Sequence, residues 1–162
     1  MTKGSCMCSA IEYEYTGEPM VTALCHCTDC QKWSGGAYTS NVVVPRKDFK
    51  VIKGSPKSYK IKGDSGKIND HWFCSGAVSP KSLPSPPYIC VIYTRTKDNI
   101  ANTSDSLYTE LEVMPDAVCI KAGGIDDKAV RDFKTTGVEF YCKDRMAYSK
   151  PVEGAEQKPV FG

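Results

Sequence analysis

Residues 20–35 read MVTALCHCTDCQKWSG. The first six, Met20–Cys25, are a short apolar run that reads as a strand and delivers the chain into Cys25, Cys27 and Cys30. Three thiols within six residues stand too close together for three independent core positions. Zinc takes about four soft ligands at tetrahedral angles, with Zn–S near about 2.3 Å, and cysteines two or three apart reach one ion from a tight turn. Three thiolates from one loop leave a fourth coordination position open, which separates a catalytic zinc from a structural one. Upstream, Cys6-Met7-Cys8 supplies two more thiols. A closed site there needs two further ligands, and Cys74, after Trp72 and Phe73, is the natural third. The alternative for both clusters is a set of buried, inert thiols, since free cysteine is among the most buried residue types. His26 reads as a spacer between thiols rather than a ligand. His71, beside Trp72, reads as a packed or surface histidine, and as a base only if it faces the open zinc position. Cys119 and Cys142 stand alone in strand-like segments and read as core thiols.

Outside these clusters the 162 residues have an ordinary globular composition: 41% hydrophobic, 25% charged, 10% aromatic. The domain expected is a single one over residues 1–162, large enough for a real core. A formal charge of +2 excludes a strongly basic nucleic-acid binder as the default. No apolar run approaches the roughly 20 residues of a membrane span. The opening MTKGSCMCSA has no apolar core of a secretion signal, so a cytoplasmic setting is expected. Nine cysteines in a reducing compartment point to metal or catalysis, and the odd number argues against a closed disulfide framework.

Ala10–Tyr15 (AIEYEY) alternates, with Ile11, Tyr13 and Tyr15 on one face and Glu12 and Glu14 on the other: a half-buried strand. Further strands are predicted at Ala37–Val44, Phe49–Lys53, Ser58–Lys62, Ile68–Phe73, Leu107–Val113, Ala117–Lys121 and Val138–Lys143. Helix signal is limited to one turn at Asp29–Ser34 and a short helix at Asp126–Phe133. The expected fold class is mainly β, built of short antiparallel strands. Gly76–Ser104 breaks the rhythm with four prolines, and only Tyr88–Tyr93 there reads as a strand.

These residues resemble the glutathione-dependent formaldehyde-activating enzyme family, which also contains the centromere protein V-like domains. Gly4-Ser5-Cys6-Met7-Cys8 matches its Gly-x-Cys-x-Cys opening, and Cys25–Gly35 (CHCTDCQKWSG) matches its Cys-His-Cys-x-x-Cys segment. Phe73-Cys74, Leu111–Asp127 (LEVMPDAVCIKAGGIDD) and Glu139–Tyr148 (EFYCKDRMAY) are similar to its later segments. The resemblance implies a zinc-stabilised β-tent with two zinc ions: a structural one on Cys6, Cys8 and Cys74, and a second one, catalytic, on Cys25, Cys27 and Cys30. The family's fourth structural ligand falls at position 77, where this chain has Ala77, and Gly76–Ser104 is interposed before the pattern resumes. Either this is a real insert and Cys90 or Asp105 completes the site, or it is a translated intron that replaced a Cys-Gly turn.

The implied activity is carbon–sulfur lyase and synthase chemistry: glutathione adds to formaldehyde to give S-hydroxymethylglutathione, and the reaction reverses. Lys32, Trp33, Ser34 and Gly35 are the candidate glutathione contacts, with Arg46 and Lys47 as further candidate donors; solvated surface charge and a plain turn are the alternatives. The competing functions are a zinc enzyme of the same fold acting on another small carbonyl or thioether substrate, and a noncatalytic zinc-binding interaction module. No nucleic-acid or membrane partner is expected.

Overall fold

The computed structural model describes residues 1–75, 105–128 and 136–161. Two sheets carry these residues. The smaller consists of β1 (Thr2–Ser5), β2 (Glu12–Tyr15) and β5 (Phe49–Lys53), antiparallel in the order β1-β2-β5. The larger contains β3 (Val21–Cys25), β4 (Thr39–Pro45), β6 (Lys57–Lys62), β7 (Ile68–Cys74), β8 (Asp105–Leu111), β9 (Met114–Lys121), β10 (Val138–Phe140) and β11 (Glu156–Gln157). Its order is β11-β10-β3-β4-β9-β8-β7-β6. Its pairings are antiparallel except that β10 runs parallel to both β3 and β11. One α-helix, α1 (Thr28–Ser34), follows β3. The fold class is thus mainly β, as the strand spacing predicts. Among the described residues no helix is long and apolar enough to cross a membrane.

The core follows from two-residue periodicity, which sends alternate side chains to opposite faces of a strand. Tyr13 and Tyr15 of β2 turn inward with Phe49 and Val51 of β5, and meet Val42, Val44, Val118, Ile120 and Tyr108 of the large sheet. Phe49 lies edge-on to Tyr108 at 4.7 Å, and Trp72 stacks on Tyr108 at 5.7 Å. Gly4 faces Tyr13 across the β1–β2 pair, and a Cβ there would stand 2.3 Å from the Tyr13 ring. The glycine that opens the Gly-x-Cys-x-Cys segment is therefore fixed by the ring lying over it.

The other face of the large sheet is also covered. Along β4, Val42 and Val44 serve the core, while Thr39, Asn41 and Val43 are buried on the opposite side. That second face carries the candidate site.

Several boundaries differ from expectation. β1 and β11 are short, polar strands without apolar alternation. β8 stops at Leu111 because Glu112 and Val113 form the two-residue turn into β9. β10 ends at Phe140, not at Lys143: Tyr141 takes a left-handed conformation (φ 56°) and leads into a 3-10 turn at Cys142–Asp144. Cys142 is accordingly only half-buried, correcting its reading as a core thiol; its Sγ meets the Glu139 carbonyl at 3.2 Å. The segment 76–104, with Cys90 and the strand expected at Tyr88–Tyr93, lies outside the described residues, as does most of the helix expected at Asp126–Phe133.

Candidate metal centres and their cavity

The second cysteine cluster forms where β3 hands over to α1. Cys25 is the last residue of β3, Cys27 is the N-cap of α1, and Cys30 lies in its first turn. The cap itself is a thiol: Cys27 Sγ accepts the Cys30 amide at 3.4 Å, where Ser, Thr, Asp or Asn usually serves. At the far end Gly35 takes φ 67° and closes the helix with its amide on Gln31. This short capped turn points three sulfurs at one place, all within 4.8 Å of one another, with Cys25 and Cys27 3.5 Å apart. Sulfurs on a tetrahedron of about 2.3 Å bonds stand about 3.8 Å apart, so the spacing suits a zinc-sized soft ion. Among the described residues no fourth Cys, His, Asp or Glu ligand joins this group.

A line of donors runs into these sulfurs from the sheet. Lys121 Nζ donates to Asn41 Oδ1 (2.8 Å), Asn41 Nδ2 donates to Thr39 Oγ1 (3.0 Å), and Thr39 Oγ1 donates to Cys30 Sγ (3.0 Å). Asn41 and Lys121 are register partners across β4 and β9. Cys30 is held well below the usual thiol range by hydrogen bonds from Cys25 and Cys27, helped by the Lys121 charge and the Thr39 hydroxyl. Cys25 is raised, first by its bond to Cys27 and then by that to Cys30. For Cys27 the bond from Cys25 pulls down, but Cys30 and burial outweigh it and the thiol is raised. Of the three sulfurs, Cys30 is thus the one held as thiolate, while Cys25 and Cys27 keep their protons; metal ligation by all three requires the loss of those two protons.

The cluster opens on a cavity of about 130 Å3 lined from α1, β3, β4, β7, β8, β9 and the C-terminal segment. Lys121, 9% exposed, is the one lysine or arginine among the described lining residues. His71 joins it from β7. Its Nδ1 lies 3.2 Å from Thr109 Oγ1, and the Trp33 ring of α1 packs against it at 4.6 Å, tilted by 36°. Burial and then the Lys121 charge push His71 down to about 4, so its ring is neutral at pH 7. Tyr141, buried in its left-handed conformation, packs against Cys27 and Cys30; burial and then the Cys27 charge raise its phenol to about 12. Cys119 is buried as expected, and it also lines the cavity.

Behind the cluster a buried carboxylate holds the loop. His26 Nε2 pairs with Glu139 Oε1 at 2.9 Å, and both residues are almost fully buried. Glu139 Oε2 accepts from Arg145 (3.1 Å), the Val152 amide (2.8 Å) and Gln157 (2.6 Å). Burial raises the Glu139 carboxyl, but the bonds from Gln157, Val152 and His26 and the Arg145 charge together hold it below the usual range. His26 is thus turned to Glu139, consistent with a spacer. Gln31 adds a second tie, donating to the His26 carbonyl (2.7 Å) and the Asp144 carbonyl (2.9 Å).

The first cluster closes across the molecule. Cys6 and Cys8 leave the end of β1, and Cys74 ends β7; Sγ distances are 3.4 Å for Cys6–Cys8 and 3.6 Å for Cys8–Cys74. The Ile11 amide donates to Cys6 Sγ at 3.2 Å. Burial raises the Cys6 thiol, but this amide and the neighbouring thiols outweigh it and the thiol is lowered. Two cysteine triads thus have the donor type and spacing of metal sites, consistent with zinc.

Of the candidate glutathione contacts, none of Lys32, Trp33, Ser34 and Gly35 lines the cavity. Lys32, Ser34 and Gly35 are exposed on α1, Ser34 Oγ bonds the Cys30 carbonyl at 2.8 Å, and Trp33 stands behind His71, its Nε1 donating to Ser106 Oγ. Arg46 pairs with Glu110 away from this cavity. Sequence reading missed Lys121, Asn41, Thr39 and Thr109. The one local signal was period-two placement of Lys121 with Cys119 on a strand face.

A mainly β scaffold with two three-cysteine clusters, one of them beside a cavity, has the donor sets of a thiolate metal protein. A family model described as glutathione-dependent formaldehyde-activating enzyme matches residues 1–89, over half of the chain, and the chain belongs to that family. A crystal structure of a Rhodobacter sphaeroides protein from structural genomics is similar with a TM-score of 0.49 at 15% identity, covering 77% of this chain and 88% of that one. No curated protein matches the sequence.

Proposed function

We propose that this chain is a zinc-dependent carbon–sulfur lyase and synthase that joins a thiol to an aldehyde carbon and reverses that addition, with glutathione and formaldehyde as the leading pair. The observation that carries the reading is the Cys25–Cys27–Cys30 triad beside a cavity that also holds a buried lysine and a neutral histidine. A noncatalytic zinc module would call for a fourth protein ligand at this triad, and the described residues supply three thiols.

The chemistry that zinc supplies when bound by the three thiolates is Lewis acidity toward a carbonyl oxygen or a lowered pKa for an incoming thiol. The chain's own residues do the rest. Lys121 directs its ammonium at the cavity, where it stabilises negative charge on the oxygen as the carbonyl becomes an alkoxide. His71, neutral and oriented through Nδ1 by Thr109, takes the thiol proton and returns it to that oxygen. Phe140, Tyr141 and Phe161 wall the cavity against water. Glutathione lays its peptide body along the exposed side of α1, where Lys32, Trp33, Ser34 and Gly35 remain the proposed contacts. The Cys6–Cys8–Cys74 triad holds a structural zinc, with Cys90 the proposed fourth ligand. Reduced thiols are needed at both triads, which supports a cytoplasmic setting.

The test is NMR exchange spectroscopy of glutathione and formaldehyde with the zinc-loaded protein. Acceleration of S-hydroxymethylglutathione exchange, lost in Cys27→Ser while the fold is kept, is the expected result. No acceleration by a protein with its full zinc content overturns the reading.

A further inference from the structure

The cavity is larger and more apolar than formaldehyde requires. One side chain on from the triad, the lining becomes hydrocarbon: Ala23 and Val21 on β3, Val43 on β4, Leu111 on β8 and Met114 on β9. The strip is one packed cluster: Val21 faces Val43, Val43 faces Cys119, Leu111 faces Met114, and Val21, Leu111 and Met114 all pack against the Val43–Cys119 pair and Ala117. Two-residue steps along a strand place Ala23 about 6.6 Å and Val21 about 13 Å beyond Cys25. Charge is confined to other parts of the lining, with Lys121 on the sheet and Asp29 and Asp64 on loops and helix. Formaldehyde has no carbon beyond its carbonyl, so it leaves this strip uncovered. The cavity volume, about 130 Å3, is close to the roughly 150 Å3 apolar cavity that holds one benzene.

We propose that the carbonyl partner of this protein is an aldehyde with an apolar body, a short alkyl chain or one aromatic ring, seated on the Val21–Ala23–Val43–Leu111–Met114 strip with its carbonyl between the second triad and Lys121. This rests on the lyase reading above and names the substrate class for the same site. The adduct cleaved is a hemithioacetal. Its carbon–sulfur bond breaks and the electron pair leaves with sulfur, the hydroxyl oxygen loses its proton and becomes the aldehyde carbonyl, and sulfur gains one proton. Nothing is oxidised or reduced. Asp29 and Asp64 in the lining disfavour an aldehyde whose body carries a carboxylate.

Binding and turnover test separate parts of this. Formamide, acetamide, butyramide and benzamide are unreactive carbonyl mimics whose Kd for the zinc-loaded protein is read by NMR titration. Affinity should rise about fourfold per added methylene, so butyramide should bind about 60-fold tighter than formamide, with benzamide similar. Ala23→Leu, which fills the strip, should remove that gain and leave formamide binding unchanged; the wild-type series stands on its own if that variant fails to fold. In exchange assays with glutathione, butanal and benzaldehyde should show lower KM than formaldehyde. A flat amide series with formaldehyde exchange intact overturns this inference alone. A graded amide series with no exchange of any aldehyde overturns the lyase reading instead.

Discussion

Replacing Lys121 by Met tests the chemistry assigned to the cavity without introducing a bulky group. Lys121 is 9% exposed, and among the described residues the hydrogen-bond partner of its ammonium is the neutral Asn41 amide, not a carboxylate. A buried cation without an ion pair is expensive to keep, so its removal relieves a desolvation penalty. Against that, Asn41 Oδ1 loses its donor, which costs about 1–3 kcal/mol. The net stability change should be about 1 kcal/mol in either direction, a shift of about 2–4 °C in Tm. Activity should respond far more. Loss of one preorganised donor to a developing oxyanion typically lowers kcat about 10²–10³-fold. The pH profile should move as well. His71 titrates near 4 partly because of Lys121, and only its neutral ring can accept a proton. In the wild type the acid limb should therefore lie near pH 4; in Lys121→Met it should rise toward the ordinary histidine value of about 6.5. The assay is aldehyde–thiol exchange followed from pH 4 to 8, with zinc content checked for each protein. Rates within threefold of wild type and an unmoved acid limb would refute the roles given to both residues.

Three other perturbations follow from the packing. Cys6→Ser removes one ligand of the first triad, and Tm should fall by more than 10 °C in a thermal melt because binding energy at a structural zinc is folding energy; an unchanged Tm would argue that no structural metal is held there. Gly4→Ala puts a Cβ 2.3 Å from the Tyr13 ring and should cost about 1–3 kcal/mol in denaturant unfolding, the usual price of overpacking, with zinc content retained. Glu139→Gln leaves His26 and Arg145 without their buried carboxylate and should destabilise by about 3–5 kcal/mol at pH 7. Because the Glu139 carboxyl is held below its ordinary value, its contribution is present above the usual carboxylate range and disappears as pH falls through its folded value. Urea melts of wild type and Glu139→Gln should thus converge in acid.

What could be read in advance was local. The AIEYEY alternation placed Tyr13 and Tyr15 in the core because a strand's period needs no partner to be visible. The triad Cys25–Cys27–Cys30 was legible because its ligands lie within one turn. Cys74 was legible only as the next cysteine, after Trp72 and Phe73, and the fold brings it to Cys8 from 66 positions away. The donor line from Lys121 to Cys30 was not legible, since it depends on the pairing of Asn41 with Lys121 across 80 positions. His71 gave no local hint that β7 would turn it into the cavity. The end of β10 escaped because the left-handed Tyr141 breaks a run in which Val138, Phe140 and Tyr141 itself are residue types that favour strand.

Zinc stoichiometry of the wild type measured beside Cys27→Ser tests the central claim most directly, using folded protein from metal-free buffer. The second triad as a metal site requires the variant to hold one zinc fewer per chain while its far-UV spectrum is kept. Equal zinc in the two proteins would contradict that assignment, and with it the chemistry placed at Cys25, Cys27 and Cys30.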